Sequence, residues 1–219
     1  MGGEDGGRAG IINSKTLALT SEDLTKILVK ANNSTASKIL SGSSGKGVEK
    51  ILNNLIEVER ISPKNIKSVT AALRDREYAA FYGEAFRLRA CEEVGWQNIK
   101  DLEMTILKNT GRADRYVDIV LKNDIRIETK YWASLLNKDV SKINEYLVQI
   151  EKDINEGKSF EHWLSKTGTV TSEAQLHQEI KTILTSPNYA NANVKRLIGN
   201  LDIDVFIDKV FKFKDFNAY

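Results

Sequence analysis

Residues 115–132 read RYVDIVLKNDIRIETKYW, and this stretch decides the fold. β-Branched and aromatic residues lie on both sides of the turn-forming residues 122–124, a pattern that predicts two strands joined by a short turn. The first strand is apolar on both faces except for one carboxylate, Asp118. In the second strand the period of two places Glu128 and Lys130 on the same face. Charges inside a sheet cost free energy unless they are paired, so the pattern indicates a site that uses them.

The composition favours a folded, soluble protein. The chain has 219 residues, of which 41% are hydrophobic and 28% charged, enough for one good-sized domain, alone or with a small appendage. The net charge of +2 excludes a polybasic binder of nucleic acid. Cys91 is the only cysteine, which excludes an internal disulfide and a cysteine-based zinc site. No membrane-spanning run or signal peptide is visible, so we expect a protein that acts in a cytoplasm.

Two regions are predicted along the chain. Residues 1–60 form a helical N-terminal region whose glycine-rich start, residues 1–10, is expected to be disordered. A Gly/Ser linker is predicted near residues 41–47, followed by an amphipathic helix at residues 48–60. Residues 61–219 form the main domain.

The main domain alternates between helical and strand patterns. The predicted elements are helices within 63–94, strands at 101–107 and within the 115–132 hairpin, a helix at 139–156, a strand at 160–164, a helix at 172–185, and alternating, strand-like segments at 201–207 and 209–214. This order of helix, three strands, helix and strand predicts an α/β fold, that is, a mixed sheet with helices packed against it.

The charged residues of the hairpin have the chemistry needed to hydrolyse a phosphodiester. Mg²⁺ or Mn²⁺ requires hard oxygen ligands and open positions for water and phosphate. Asp118 and Glu128 supply such ligands if both point the same way, and the backbone carbonyl of Thr129 adds a third. Lys130 would orient the attacking water and stabilise negative charge on the phosphate. Glu84, an acid within the apolar stripe of a helix, is the candidate that completes the site.

The order of these residues resembles the PD-(D/E)xK nuclease superfamily, whose restriction-endonuclease-like core is α-β-β-β-α-β. Residues 128–130 correspond to the acid-x-lysine element, Asp118 to the preceding aspartate and Glu84 to the helix glutamate. Val117 stands where the family has a proline, and a threonine is a less usual middle residue in the acid-x-lysine element. The resemblance covers residues 78–165 and implies a metal-dependent endonuclease acting on DNA or RNA.

The helix after the lysine adds to this resemblance. Lys142, Tyr146 and Gln149 lie at positions i, i+4 and i+7 beside its apolar stripe. Family members often place such residues there to contact the water or the phosphate, which implies a catalytic role for Gln149 and nucleic-acid contacts for Lys142 and Tyr146. Arg112 and Arg115 would add a basic rim that attracts phosphates. An ordinary helix flank and a solvated charged surface are the alternatives.

Residues 117–164 also look like the restriction-endonuclease-type toxin domains at the C-termini of bacterial polymorphic toxins, including contact-dependent growth inhibition effectors. That resemblance implies a toxin domain that cleaves DNA or RNA, tRNA among the candidates, in the cytoplasm of a target cell. It also implies a variable helical N-terminal piece for delivery and a cognate immunity protein as partner.

A non-catalytic module that binds nucleic acid or protein is the alternative function. In that interpretation Asp118, Glu128 and Lys130 form a structural ion bridge at the sheet. His162 and His177 are expected to be packing or surface residues under either hypothesis.

Overall fold

The computed structural model describes residues 46–66, 68, 69, 72, 78–107, 113–132, 134–165, 170–189, 194, 196, 198, 199 and 201–215. The predictions for residues 1–45 and for Arg112 lie outside this set. Lys46 and Gly47, which were expected in the linker, belong to the first helix. Within the described residues the chain has a mixed α/β architecture, with one five-stranded mixed sheet and five α-helices.

The elements follow one another in the predicted order of helix, three strands, helix and strand. Their bounds are α1 Lys46–Ile61, α2 Tyr78–Val94, β1 Ile99–Leu107, β2 Ala113–Leu121, β3 Arg126–Lys130, α3 Val140–Asn155, β4 Phe160–Ser165, α4 Glu173–Thr185, α5 Ile203–Val210 and β5 Phe211–Lys214. Short 3-10 turns occupy Pro63–Asn65 and Trp96–Asn98. Among the described residues, no helix has the length and apolarity that crossing a bilayer requires.

The chain divides into two compact units, and the boundary falls within α2, after Leu88. The first unit contains α1, whose buried residues Ile51, Leu55 and Val58 follow the helical spacing of its sequence. The second unit begins at Arg89 and contains the whole sheet with α3, α4 and α5. The predicted domain boundary between residues 60 and 61 stays a prediction.

The sheet has the strand order β1-β2-β3-β4-β5. The first three strands form an antiparallel meander, whereas β3, β4 and β5 run parallel. Parallel neighbours need a crossover connection, and α3 provides it between β3 and β4. The apolar stripe predicted for α3 is buried at Ile143, Leu147 and Ile150 in one cluster with residues of β4, α4, α5 and β5.

The hairpin predicted at residues 115–132 is confirmed. Ile119 of β2 pairs with Ile127 of β3, and the backbone N–H of Leu121 donates to the Ile125 carbonyl at 2.9 Å. The turn at residues 122–124 closes with Asp124 in the left-handed region, at φ 63°. Aspartate tolerates that conformation better than most residues, which is why this sequence turns here.

The prediction of a strand at residues 201–207 is wrong, because α5 begins within this segment, at Ile203. Asp202 caps this helix, since its carboxylate accepts hydrogen bonds from two backbone N–H groups of the first turn, at 2.9 and 3.4 Å. Phe206, Ile207 and Val210 are then buried at helical spacing. A short apolar segment fits both periods, and here the cap and the buried face select the helix. The alternating residues after it do form a strand, β5.

The two outer strands of the sheet, β1 and β5, both depart from a long regular strand. The pairing of β1 with β2 shifts register between Ile99 and Asp101, and Glu103 has a left-handed φ of 48°. The β5 strand is four residues long and carries lysines at positions 212 and 214. The Nζ of Lys214 lies 3.8 Å from the ring centroid of Trp163.

Candidate functional site

The ladder between β2 and β3 opens at the predicted site. The backbone pairing ends at Ile119–Ile127, and the alternation of an antiparallel ladder would next join the Thr129 N–H to the Val117 carbonyl. Instead, the backbone N–H of Thr129 donates to Asp118 Oδ2 at 2.8 Å. The Thr129 hydroxyl donates to the same oxygen at 2.7 Å. The Asp118 carboxylate therefore takes the place of a backbone acceptor and is held in a fixed position.

The strand that carries Asp118 is less buried than its apolar sequence predicts. Val117, Ile119 and Val120 are buried, but Asp118 is half-buried and Tyr116 is 60% exposed. At Tyr116 and Asp118 the strand therefore reaches solvent, which leaves the Asp118 carboxylate partly accessible.

Glu128 is the buried acid of the site. Its residue is 6% exposed, and Oε1 accepts a hydrogen bond from Lys130 Nζ at 2.6 Å. Burial raises the pKa of the Glu128 carboxyl, and the negative charge of Asp118 raises it further, whereas Lys130 lowers it. Asp118 and Glu128 are thus close enough to repel each other. A cation bound by both carboxylates would relieve this repulsion.

A chain of buried polar groups lies next to Glu128. The Tyr146 hydroxyl is 2.8 Å from His162 Nδ1, and His162 Nε2 is 3.1 Å from Asp153 Oδ2. Nε2–H donates to the aspartate, and the tyrosine hydroxyl is the partner of Nδ1, in a direction that the tautomer of the imidazole sets. His162 is fully buried and faces Glu128 in the register of β3 and β4. Burial raises the pKa of Tyr146 well above its ordinary value, with smaller contributions from the charges of Glu128 and Asp153.

Asp153 is not among the site residues predicted from the sequence, although its position in the sequence carries a signal. Asp153 lies three residues after Ile150 on the buried side of α3, the same pattern of an acid within an apolar stripe that singled out Glu84. The expectation that His162 is a packing residue holds in that its ring is buried and contacts Phe160 and Phe211 edge-on or tilted.

Glu84 belongs to the first compact unit, whereas Asp118 and Glu128 belong to the second. Glu84 is 8% exposed, and both of its carboxylate oxygens accept from Arg87 Nη2 at 2.8 Å, with Nε at 3.2 Å from Oε1. This bidentate pair neutralises the glutamate inside its own unit. Its predicted role as a catalytic group and metal ligand stays a prediction.

The remaining predicted residues lie in varied positions. Lys142 is exposed and pairs with the glutamate three residues further on, at 2.8 Å. Gln149 is half-buried on α3. Tyr146 is buried in the polar chain, so direct contact with nucleic acid gains no support from its position. Arg115 lies in β2, and Arg112 is outside the described residues.

The donor set decides whether a metal ion fits here. Within the described ranges, no three His, Cys, Asp or Glu side chains form a group that could hold a metal ion. Asp118 and Glu128 nevertheless offer carboxylate oxygens, and Thr129 offers a backbone carbonyl; these are the donors that Mg²⁺ prefers. Such an ion usually keeps several water ligands, so two carboxylates are compatible with it. Lys130 donates a hydrogen bond to one Glu128 oxygen, and this bond would have to break for that oxygen to bind the metal.

No family model matches the chain, and neither a curated protein nor a solved structure is significantly similar to it. Function is therefore inferred from the side chains and their contacts.

Proposed function

We propose that the chain is a metal-dependent endonuclease that hydrolyses phosphodiester bonds of DNA or RNA. One observation carries the proposal: β2 and β3 separate where Asp118, Glu128 and Lys130 lie, and the two acids are close enough for Asp118 to raise the pKa of Glu128. A buried carboxylate next to a second carboxylate and a lysine is costly for a fold and useful for binding a cation and a phosphate.

Each residue has a role in this proposal. Asp118, Glu128 and the Thr129 carbonyl would hold Mg²⁺ or Mn²⁺, which when bound polarises the phosphate and acidifies a water molecule. The hydrogen bonds from Thr129 keep the Asp118 carboxylate in place before any substrate arrives. Lys130 lies beside Glu128 and would stabilise the negative charge that develops on the phosphate oxygens. Glu84 and Gln149 remain proposed contributors to catalysis.

The buried polar chain holds the elements next to Glu128 in place. The contacts of His162 with Tyr146 and Asp153 tie α3 to β4 at the strand position facing Glu128. The Tyr146 ring also contacts Trp132 edge-on, with centroids 5.0 Å apart. A site on rigid elements with locked side chains keeps catalytic geometry within narrow limits.

The biological setting is proposed from the resemblance to bacterial polymorphic toxins. In that setting the chain is the toxic domain of a larger effector that cleaves nucleic acid, tRNA included, in the cytoplasm of a target cell. A cognate immunity protein would block it. Expression should then stop bacterial growth, and a neighbouring small gene expressed with it should restore growth.

The nuclease proposal is tested by incubating the purified protein with plasmid DNA, genomic DNA and total RNA, in Mg²⁺ and in EDTA. Asp118→Asn is the informative variant, because its amide oxygen can still accept from both Thr129 groups while the charge is lost. Cleavage should fall by about 100-fold or more, since a bound metal supplies several kcal/mol of stabilisation to the transition state. The melting temperature should not fall.

Asp124→Asn is the matched control, an equal change of charge in the turn of the same hairpin. Asp124 is exposed and pairs with Lys100 at 2.7 Å, a type of contact that contributes little, so cleavage should stay at the wild-type rate. A folded wild-type protein that cuts none of the substrates in Mg²⁺ would contradict the proposal. So would an Asp118→Asn variant with undiminished cleavage.

A non-catalytic binding module is the second candidate, and two observations favour it. Lys130 already pairs with Glu128 at 2.6 Å, and three metal-ligating side chains do not come together anywhere in the described part of the chain. This candidate predicts that Lys130 variants change stability only, with no metal-dependent cleavage to lose.

A further inference from the structure

The ammonium groups of two lysines lie close to the ring of Trp132. The Nζ of Lys130 lies 5.9 Å from the ring centroid, and the Nζ of Lys138 lies 5.6 Å from it. Both distances are within the range of about 6 Å for an attraction between an ammonium group and an aromatic ring. Two positive charges near one ring attract an anion to this part of the surface.

The two lysines differ in their partners. Lys130 donates to the Glu128 carboxylate at 2.6 Å. For Lys138, by contrast, no acidic side chain of the described residues lies within ion-pair distance. The half-buried Lys138 therefore places a second positive charge at the Trp132 ring that Lys130 also approaches.

The position of Lys138 is set by the fold. Glu179 of α4 accepts hydrogen bonds from the Ser134 hydroxyl at 2.8 Å and from the Leu135 backbone N–H at 2.9 Å. Leu135 is buried, and its carbonyl accepts from the backbone N–H of Lys138 at 3.0 Å. One carboxylate thus fixes the start of the segment after β3, and a turn then returns Lys138 to the Trp132 ring.

We propose that Lys138, whose ammonium group lies beside the Trp132 ring, binds a phosphate of the nucleic-acid backbone near the one that Lys130 contacts. This inference rests on the proposed function and adds a substrate contact to it. A lysine recognises phosphate as a point charge, so the contact positions the strand and carries no base specificity. Lys138 is a substrate-binding residue in this proposal, and it does not take part in the reaction itself.

The test measures binding without cleavage. Fluorescein-labelled single-stranded DNA, single-stranded RNA and duplex DNA are titrated with the protein in EDTA, and fluorescence anisotropy is followed over a series of salt concentrations. Each phosphate contact contributes about 0.9 to the slope of log affinity against log salt for duplex DNA and about 0.7 for single strands. Lys138→Ala should weaken binding severalfold on every sequence and reduce the slope by about that amount. Lys138→Arg should restore most of both.

Lys122→Ala is the matched control, because Lys122 is an exposed lysine in the turn at the opposite end of β3. It removes the same charge and should leave the slope unchanged. An equal loss in both variants, or an unchanged slope in Lys138→Ala, would overturn the inference even if the wild type cleaves. A wild type that binds none of the three oligonucleotides would also overturn it, whereas the nuclease proposal is judged separately by cleavage in Mg²⁺.

A structural role for Lys138 gives a different result. If the lysine only packs on the ring, Lys138→Ala lowers the melting temperature and leaves the salt slope intact, which overturns the proposal. Lys138→Gln keeps most of the side-chain length and provides the slope measurement should the alanine variant fold poorly. Tryptophan emission gives a local signal, since a change on oligonucleotide binding should largely disappear in Trp132→Phe.

Discussion

Replacement of Lys130 by methionine isolates the electrostatic cost of Glu128. Methionine retains most of the apolar stem, so the main change is the loss of the ammonium group 2.6 Å from the Glu128 carboxylate. The lysine side chain is 20% exposed and the glutamate side chain 7%. The variant therefore leaves a nearly buried carboxylate next to Asp118 without its main compensating charge.

The size of the effect is bounded by protonation. An unfolded glutamate has a pKa of 4.5, so forcing it to be neutral at pH 7 costs at most about 3.4 kcal/mol, at about 1.4 kcal/mol per pH unit. Wild-type Glu128 already carries part of that cost, because its folded pKa is raised by burial and by Asp118. We expect Lys130→Met to lower the free energy of unfolding by about 2 kcal/mol at pH 7.

The pH dependence gives the sign. A carboxyl whose folded pKa is raised favours the folded state below its unfolded pKa, and this contribution is lost as pH rises through the folded pKa. The maximum cost of keeping Glu128 neutral therefore falls to about 1.4 kcal/mol at about pH 5.5. Lys130→Met should accordingly approach wild-type stability on acidification. At neutral pH, Glu128→Gln should be at least as stable as wild type.

Urea unfolding of four proteins completes the test: wild type, Lys130→Met, Glu128→Gln and the double variant. When Glu128 is already glutamine, Lys130→Met should cost less than about 0.5 kcal/mol of stability, because the buried carboxylate that Lys130 compensates is no longer there. A penalty that is equal in both backgrounds, or independent of pH, would refute this account of Glu128. A cleavage assay on the stable double variant adds a functional result, since the nuclease proposal requires it to be inactive.

Two further predictions concern buried polar pairs. Asp153→Ala should cost about 2–3 kcal/mol of stability, because the fully buried His162 loses the acceptor of its Nε2–H; a urea midpoint unchanged from wild type would contradict the assigned network. Arg87→Met should cost a similar amount, about 2–3 kcal/mol, because it removes the bidentate partner of Glu84. Thermal unfolding should show recovery when Glu84→Gln is added, and no recovery would place the cost in packing instead of charge.

Elements with strong local signals could be predicted from the sequence. The hairpin around residues 122–124 followed from turn formers between β-branched runs, and α3 followed from its apolar stripe. Gly95 and Gly157 end their helices with φ of 82° and 63°, as glycines after helical segments are expected to do. These features depend on neighbours within a few residues, so the sequence contains their causes.

Features that depend on distant contacts could not be predicted in the same way. Residues 201–207 alternate as a strand does, yet they lead into α5, whose buried face packs against residues far away in sequence. The hydrogen bonds from Thr129 to Asp118 replace a ladder bond that periodicity would assign to the backbone. The same limit applies to the Tyr146–His162 contact, which joins a helix to a strand. Residue type and order were enough to select the candidate acids and lysine. The contacts that hold them in place are visible only in the folded structure.

The two outer strands of the sheet also determine how the protein behaves towards its own copies. An unpaired strand edge can template pairing with another chain, and natural sheets discourage this with bulges, short strands and lysines. In β1 the register shift and the left-handed Glu103 interrupt a regular edge, and β5 presents only four residues, with lysines at positions 212 and 214. At high concentration the folded protein should therefore resist edge-to-edge aggregation, and replacing both lysines with threonine should weaken that resistance.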